Sequence, residues 1–349
     1  MRRAAFIAGT AVLVAIGGAL HYSTDQPVAT FVVCAVALGG LAWLVGLGTE
    51  SVGSRFGPAA TGLMQSTLGN LPELFVVLFA LSAGETLVAQ TSILGSLFAN
   101  GLLVLGGAIV AGSARAADGC MRFNPRLPND TTVLVLLAVF AIVVLGVADK
   151  AGGRASHHAV EISIVGAVVL LAIYAVWLWG YLHSEPVSEP ALEEAPHHLP
   201  LPQALLLLAA AGVGAAFVSD WFVSELDSAV HSLGISKAFT GLVIVGIAGN
   251  AVENFVGISL AAKGEADLAI SVIKNSVSQI AAFLYPALVL ASLAFSHRLT
   301  FVVNPVLTGA LLVAAIAVWA IGGDGRAATF EGCALIGLYA IVAALAWFE

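Results

Sequence analysis

Two short stretches carry the residues best suited to chemistry: Gly69-Asn70-Leu71-Pro72-Glu73 and Gly249-Asn250-Ala251-Val252-Glu253. Each sets a carboxylate three residues after an asparagine, inside a run that is otherwise apolar. An ionised carboxylate in such a run needs a partner, water or a proton. Oxygen-rich surroundings are also what a hard cation selects, since Ca²⁺ takes about six to eight oxygen ligands. The two carboxylates, the side chains of Asn70, Asn250, Ser96, Ser276 and Gln279, and backbone carbonyls freed at Gly69, Gly249 and Pro72 would supply such a shell. A carboxylate can hold either a cation or a proton, so one site would exchange them by competition. The plainer reading makes both glutamates hydrogen-bonded packing residues between helices.

The elements that must hold these groups are membrane helices. The chain is 60% hydrophobic and only 10% charged, which excludes an ordinary soluble protein. A helix crossing the hydrocarbon core needs about 20 largely apolar residues. Eleven such stretches are expected, at 4–21, 27–48, 58–83, 86–112, 131–149, 159–182, 201–220, 237–262, 267–295, 300–321 and 327–348. The runs are continuous rather than alternating, so an all-α polytopic membrane protein is predicted and a β-barrel is not. Arg2 and Arg3 ahead of an apolar run also fit a signal peptide, but no clear cleavage site follows, and a first helix is expected.

The motif copies are 250 − 70 = 180 residues apart. At that offset Phe75-Val76 matches Phe255-Val256, Gly84-Glu85 matches Gly264-Glu265, and Ala89, Ile93 and Ser96 match Ala269, Ile273 and Ser276. The first copy lies in the third expected span and the second in the eighth. Five crossings separate them, so the copies are expected in opposite orientations. Inverted repeats facing one another at the midplane are a common plan of secondary transporters. The expected organisation is an extra helix at 1–26, a five-helix repeat at 27–182, an acidic proline-rich linker at 183–200 and a second five-helix repeat at 201–349. With the N-terminus inside, Arg2, Arg3, Arg55, Arg115, Arg122, Arg126, Lys263 and Arg326 are cytoplasmic and Lys150, Arg154, Lys237 and Arg298 outside. The excess inside predicts a cytoplasmic N-terminus and an external C-terminus in the inner (plasma) membrane.

Other polar residues carry weaker signals. Lys274 stands about two turns into the ninth span, where it would either snorkel to the interface or pair with Glu253 or Glu73. Glu85 and Glu265 follow glycines at helix ends and suit capping, surface exposure or a vestibule. Glu185, Glu189, Glu193 and Glu194 fall in the linker, which reads as a solvated connection. Cys34, Cys120 and Cys333 are widely spaced and read as packing or lipid-facing residues, and the paired histidines 157–158 and 197–198 as loop residues. Basic residues form no stripe, so no nucleic-acid partner is expected. Ser271-x-x-Lys274 lacks companion motifs, and no zincin, nucleophile-elbow, P-loop or dinucleotide motif occurs. An enzyme is not expected, nor a cofactor, and an ion gradient is the expected energy source.

With these residues in place, the chain resembles the cation/proton exchanger branch of the calcium/cation antiporter superfamily. The resemblance rests on GNLPELFVVLFALSAGE from Gly69 and TSILGSLFANGLLVLG from Thr91, and on GLVIVGIAGNAVENFVGISLAAKGEADLAI from Gly241 and SQIAAFLYPALVL from Ser278. It implies Ca²⁺/H⁺ antiport, with Glu73 and Glu253 as central cation and proton ligands. Asn70 and Asn250 would line the site, and Ser96, Asn100 and Gln279 would add polar groups from partner helices. Where the family carries a small Gly-Ser-Ser sequence, this chain reads Lys274-Asn275-Ser276-Val277-Ser278-Gln279, a departure that bears on ion selectivity. A Na⁺ or K⁺/H⁺ antiporter on the same scaffold is the alternative, and a cation channel a more distant one.

Overall fold

Apolar runs of this length form helices because a helix satisfies every backbone polar group within its own segment. The computed structural model describes residues 2–53, 55, 64, 68–124, 126–183 and 199–349, and there the chain is almost wholly helical. In chain order come α1 (Arg2–Ser23), α2 (Pro27–Gly53), α3 (Leu71–Ser82), α4 (Thr86–Ser113), α5 (Arg126–Ala151), α6 (Ala159–His183) and α7 (Leu201–Ser224). They are followed by α8 (Leu226–Leu233), α9 (Lys237–Gly249), α10 (Ala251–Lys263), α11 (Ala266–Ala294), α12 (Pro305–Gly322) and α13 (Thr329–Phe348). Among the described residues nine helices are long and apolar enough to cross a membrane, or ten if α8 and α9, bent by 114°, count as one span. The expected third span lies partly outside the described residues, as does nearly all of the acidic linker. The expected eighth is two half-helices, α9 and α10, that meet at Asn250.

Burial sorts the helices into an inner and an outer set. In α4, 83% of the apolar window is buried, against 11% in α1, whose sides carry exposed Val12 and Ile16. α4 and α11 form the centre, α1 is the most exposed, and α6, α7 and α13 are each only 22% buried. The close approaches rest on small residues, as in membrane helices generally. α1 sits against α2 through Gly17, where a Cβ would lie 3.3 Å from Cys34 Sγ, and Trp221 of α7 donates to the Tyr22 hydroxyl at 3.2 Å.

Two features depart from an all-helical reading. Cys120–Arg122 (β1) and Arg326–Ala328 (β2) pair as antiparallel strands, Met121 opposite Ala327, and clip the loop after α4 to the loop after α12. Residues 300–304, expected in the tenth span, are not helical: Asn304 accepts from Val306 N–H at 2.9 Å as N-cap, and Pro305 opens α12. The segment is nonetheless half-buried or more throughout, with Phe301 and the preceding Leu299 fully covered. Its backbone must therefore find partners inside the protein. Gln90 Nε2 donates to Val302 O at 2.9 Å, Tyr285 Oη to Thr300 O at 2.8 Å, and Phe301 N–H donates to Ser163 Oγ at 3.1 Å.

The connections fall into two sets. One joins Glu85 to Lys237, Gly84 to His297, and His21 to Glu225. The other joins Arg115 to Ala262, Asn124 to Asp267, and β1 to β2. In the second set Asp118 ion-pairs with Arg122, which holds its carboxyl below the ordinary carboxylate range.

Candidate cation site

Both motif copies fold the same way. Asn70 (φ −90°, ψ 16°) and Asn250 (φ −107°, ψ 27°) leave the helical region, and a new helix begins at the next residue. Each asparagine carbonyl accepts from the fourth residue onward, Leu74 N–H at 2.9 Å and Asn254 N–H at 3.0 Å. Pro72 therefore does not break a continuous helix. It occupies the first turn of α3, where its missing N–H costs no intrahelical bond. Glu73 and Glu253 fall in the first turns of α3 and α10, where the helix dipole favours a negative charge. The correspondence continues into the turns: Gly84 (φ 85°) and Gly264 (φ 92°) take the left-handed conformation, and Glu85 and Glu265 precede α4 and α11. Each of those two central helices then contains a π turn, Ala99–Val104 in α4 and Ile280–Leu284 in α11. Such turns widen a helix and are frequent at functional sites.

The polar side chains meet where α4, α9, α10 and α11 converge. Asn100, in the first π turn, donates through Nδ2 to Asn250 Oδ1 at 2.7 Å and to Ser276 Oγ at 3.0 Å. Asn250 Nδ2 in turn donates to Ser96 Oγ at 2.7 Å and to Gly246 O at 2.9 Å. Asn100, Asn250 and Ser96 are fully buried, Ser276 nearly so. Glu73 is buried completely, and among the described residues neither carboxylate oxygen has a hydrogen-bond donor. Ser96 stands beside Glu73, but its hydroxyl donates to Ser92 O at 3.2 Å. Gly249 completes the contact between copies: a Cβ there would lie 3.5 Å from Glu73 Cβ. Glu253 is close enough for its charge to act on Glu73, and it is only partly covered.

Among the described residues no three His, Cys, Asp or Glu side chains gather as a metal centre. What gathers is two carboxylates with neutral oxygens, Asn100 Oδ1 among them without a donor. Hydrogen bonds join Asn100, Asn250, Ser96 and Ser276 directly, and Glu73 and Gly249 lie against this group. Asn70 and Gln279 are buried as well, Asn70 at the start of α3 and Gln279 on α11, and Gly69 immediately precedes the first break. Asn254 escaped the sequence reading. Its Nδ2 donates to Ile247 O at 3.0 Å, so Asn250 and Asn254 together occupy two of the carbonyls freed at the end of α9. The one signal for it was the mismatch at offset 180, where Leu74 stands in the first copy.

Lys274 neither snorkels nor pairs. It is 6% exposed, makes no ion pair or hydrogen bond among the described residues, and lines an apolar cavity with Phe98, Gly101, Val135 and Leu311. An unpaired amine at that depth is costly. Lys274→Met is expected to raise thermal stability by roughly 2 kcal/mol, near the low end of the cost of a charged residue inside a bilayer. An unchanged or lowered melting temperature in detergent would contradict this.

The sequence pattern of the sodium/calcium exchanger protein family matches residues 5–182 and 203–348, nearly the whole chain. The chain belongs to that family. Among similar exchangers is a Ca²⁺/H⁺ antiporter from Synechocystis, 33% identical, the match covering 95% of this chain and 93% of that one. The Ca²⁺/H⁺ antiporter ChaA of Bacillus subtilis is 31% identical over 97% of this chain and 96% of its own. The solved structure of native YfkE superposes with a TM-score of 0.83 at 29% identity, covering 99% of each chain. An H⁺/Ca²⁺ exchanger structure, CAX, shares the fold with a TM-score of 0.73 at 14% identity over 99% of this chain and 92% of that one. The exchanger fold and the long apolar helices make this chain a multi-pass membrane protein.

Proposed function

We propose that the chain exchanges Ca²⁺ for protons by alternating access, with Glu73 and Glu253 binding cation and proton in competition. The observation that carries this reading is Glu73: a fully buried carboxylate beside Ser96, with no hydrogen-bond donor within reach of either oxygen among the described residues, in the first turn of a half-helix, against the second motif copy. Asn100, Asn250, Ser96 and Ser276 hold the surrounding oxygens in place, and Asn70, Gln279 and the backbone at Gly69 and Gly249 complete the lining. The curated Ca²⁺/H⁺ antiporters at 33% and 31% identity support Ca²⁺ as the cation. In this proposal the two copies are inverted five-helix repeats, 27–182 and 201–349, joined by the linker and preceded by the helix at 1–26. The two sets of connections support alternating crossings. We place the N-terminus in the cytoplasm on the excess of basic residues there, with the C-terminus outside and the plasma membrane as location.

Reconstitution into proteoliposomes with an imposed pH gradient tests the reading. Saturable Ca²⁺ uptake that reverses with the proton gradient is expected, with weaker exchange of Mn²⁺ and none of Na⁺ or K⁺. Exchange of Na⁺ or K⁺ in preference to Ca²⁺ would replace the proposed ion. Flux that does not saturate and ignores the proton gradient would make the protein a channel.

A further inference from the structure

Glu85, expected as a cap, surface or vestibule residue, and Lys237, expected on the external side, are joined in the structure. Lys237 opens α9, and its Nζ lies 2.8 Å from both oxygens of Glu85 and 2.6 Å from Asp227 Oδ1. The two acids belong to different parts of the fold. Glu85 immediately precedes α4, whose backbone touches that of α9: a Cβ on Gly95 would lie 2.3 Å from Leu242 O, and one on Gly246 2.6 Å from Gly95 C. Two helices in such contact move together. Asp227 sits on α8, which continues from α7, and α7 packs along α2. Between α8 and α9 the chain bends by 114° at Gly234, which has a φ of 65°. The amine therefore bridges the bend.

The site is covered unevenly on its two sides. Toward Lys237, Val77 and Ala80 of α3, Val88 of α4 and Thr240 and Leu242 of α9 are all fully buried. Away from it, along α10, Val252, Glu253 and Asn254 are partly exposed and Phe255 is 68% exposed. Glu265, the counterpart of Glu85, is exposed and makes no ion pair among the described residues. Among the described residues, the ion-paired end is thus the more closely covered one.

We propose that Lys237 is the strut of an ion-pair latch: shared between Glu85 and Asp227, it holds closed the side of the site nearest α8, and its contact with Asp227 parts when that side opens. The bond to Glu85 lies within the α4–α9 unit and persists. The bond to Asp227 crosses the bend and is the one that breaks. Its place in a transport cycle rests on the exchange reading, but the latch is a property of the fold and is testable without transport.

The test uses the full chain in proteoliposomes, with Cys34, Cys120 and Cys333 changed to serine and Ala80→Cys as reporter. Ala80 is on the face of α3 that carries Glu73, two turns beyond it, and is fully buried here. A membrane-impermeant thiol reagent is added to each side in turn. In Lys237→Met and Asp227→Asn, labelling from the Lys237 side is expected to rise roughly fivefold, as for loss of a partly exposed ion pair, while Lys237→Arg stays near the parent. Asp227→Asn alters one exposed side chain and keeps the bond to Glu85, so it carries the test if Lys237→Met folds poorly. Equal labelling in all variants would overturn the latch, even where melting temperatures fall, because a purely structural ion pair lowers stability without changing access. Absence of cation exchange in the parent protein would sink the proposed function and leave the labelling result standing.

Discussion

Glu73→Gln and Glu253→Gln are each expected to reduce proton-coupled Ca²⁺ exchange at least about 100-fold while leaving the protein folded, since losing one charge of a buried pair typically costs 2–5 kcal/mol. Glutamine keeps the shape and one oxygen of the side chain. It removes the charge that holds the cation and the group that holds the proton. The effect on stability has the opposite sign. Glu73 has no donor on either oxygen among the described residues, so a neutral side chain there relieves a buried charge. Activity lost together with an unchanged or raised melting temperature is therefore the signature of a ligand. Loss of both would mark a packing residue. The proton arm separates the two halves of the role: cation-dependent proton flux should vanish in both variants, because an amide does not titrate in the working range. Exchange at the parental rate in either variant would remove that glutamate from the mechanism.

The carboxylates were legible because depth and repetition both point at them. Glu73 and Glu253 lie in apolar runs and recur at one offset with their asparagines and glycines. The helical breaks were legible only in part. Gly69, Gly249 and Pro72 mark the place, but whether the chain kinks there or starts a new helix depends on what takes the freed carbonyls. Here Asn250 and Asn254 take two of them through local bonds four and seven residues back, which the motif spacing alone does not specify. Lys274 shows the limit of spacing as a guide. It is two residues from Ser276, which bonds Asn100, yet consecutive positions on a helix point about 100° apart, and it faces an apolar cavity instead. The β1–β2 clip had no legible signal: its strands are three residues long, some 200 residues apart, and exist only because two loops meet. Glu85 and Lys237 were visible as charges at helix ends, but their pairing joins residues 152 apart that only the α4–α9 crossing brings together.

That crossing makes the second large prediction, since Gly95→Ala should cost about 3 kcal/mol or more, the upper range for overpacking a well-filled core. The added methyl would lie 2.3 Å from Leu242 O, 2.6 Å from Leu242 Cα and 2.7 Å from Leu242 C. All three are backbone atoms, so no side chain can swing aside and the helices must separate. Separation is costly along the whole contact, because Gly246 meets Gly95 from the other side and a Cβ on Gly241 would lie 2.1 Å from Thr91 Oγ1. Exchange should fail with stability, for α4 carries Ser96 and Asn100, α9 ends at Gly249, and the 2.7 Å bond from Asn100 to Asn250 spans the two. Gly309→Ala in α12 is the control. No atom lies within 4 Å of its Cβ position, and the exchange of glycine for alanine in an open helix interior should be neutral or stabilise by roughly 0.5–1 kcal/mol. Thermal melts of the detergent-solubilised variants decide the matter. A Gly95→Ala protein that melts with the parent would mean that α4 and α9 do not cross backbone to backbone, and the network that holds the site oxygens would lose its frame.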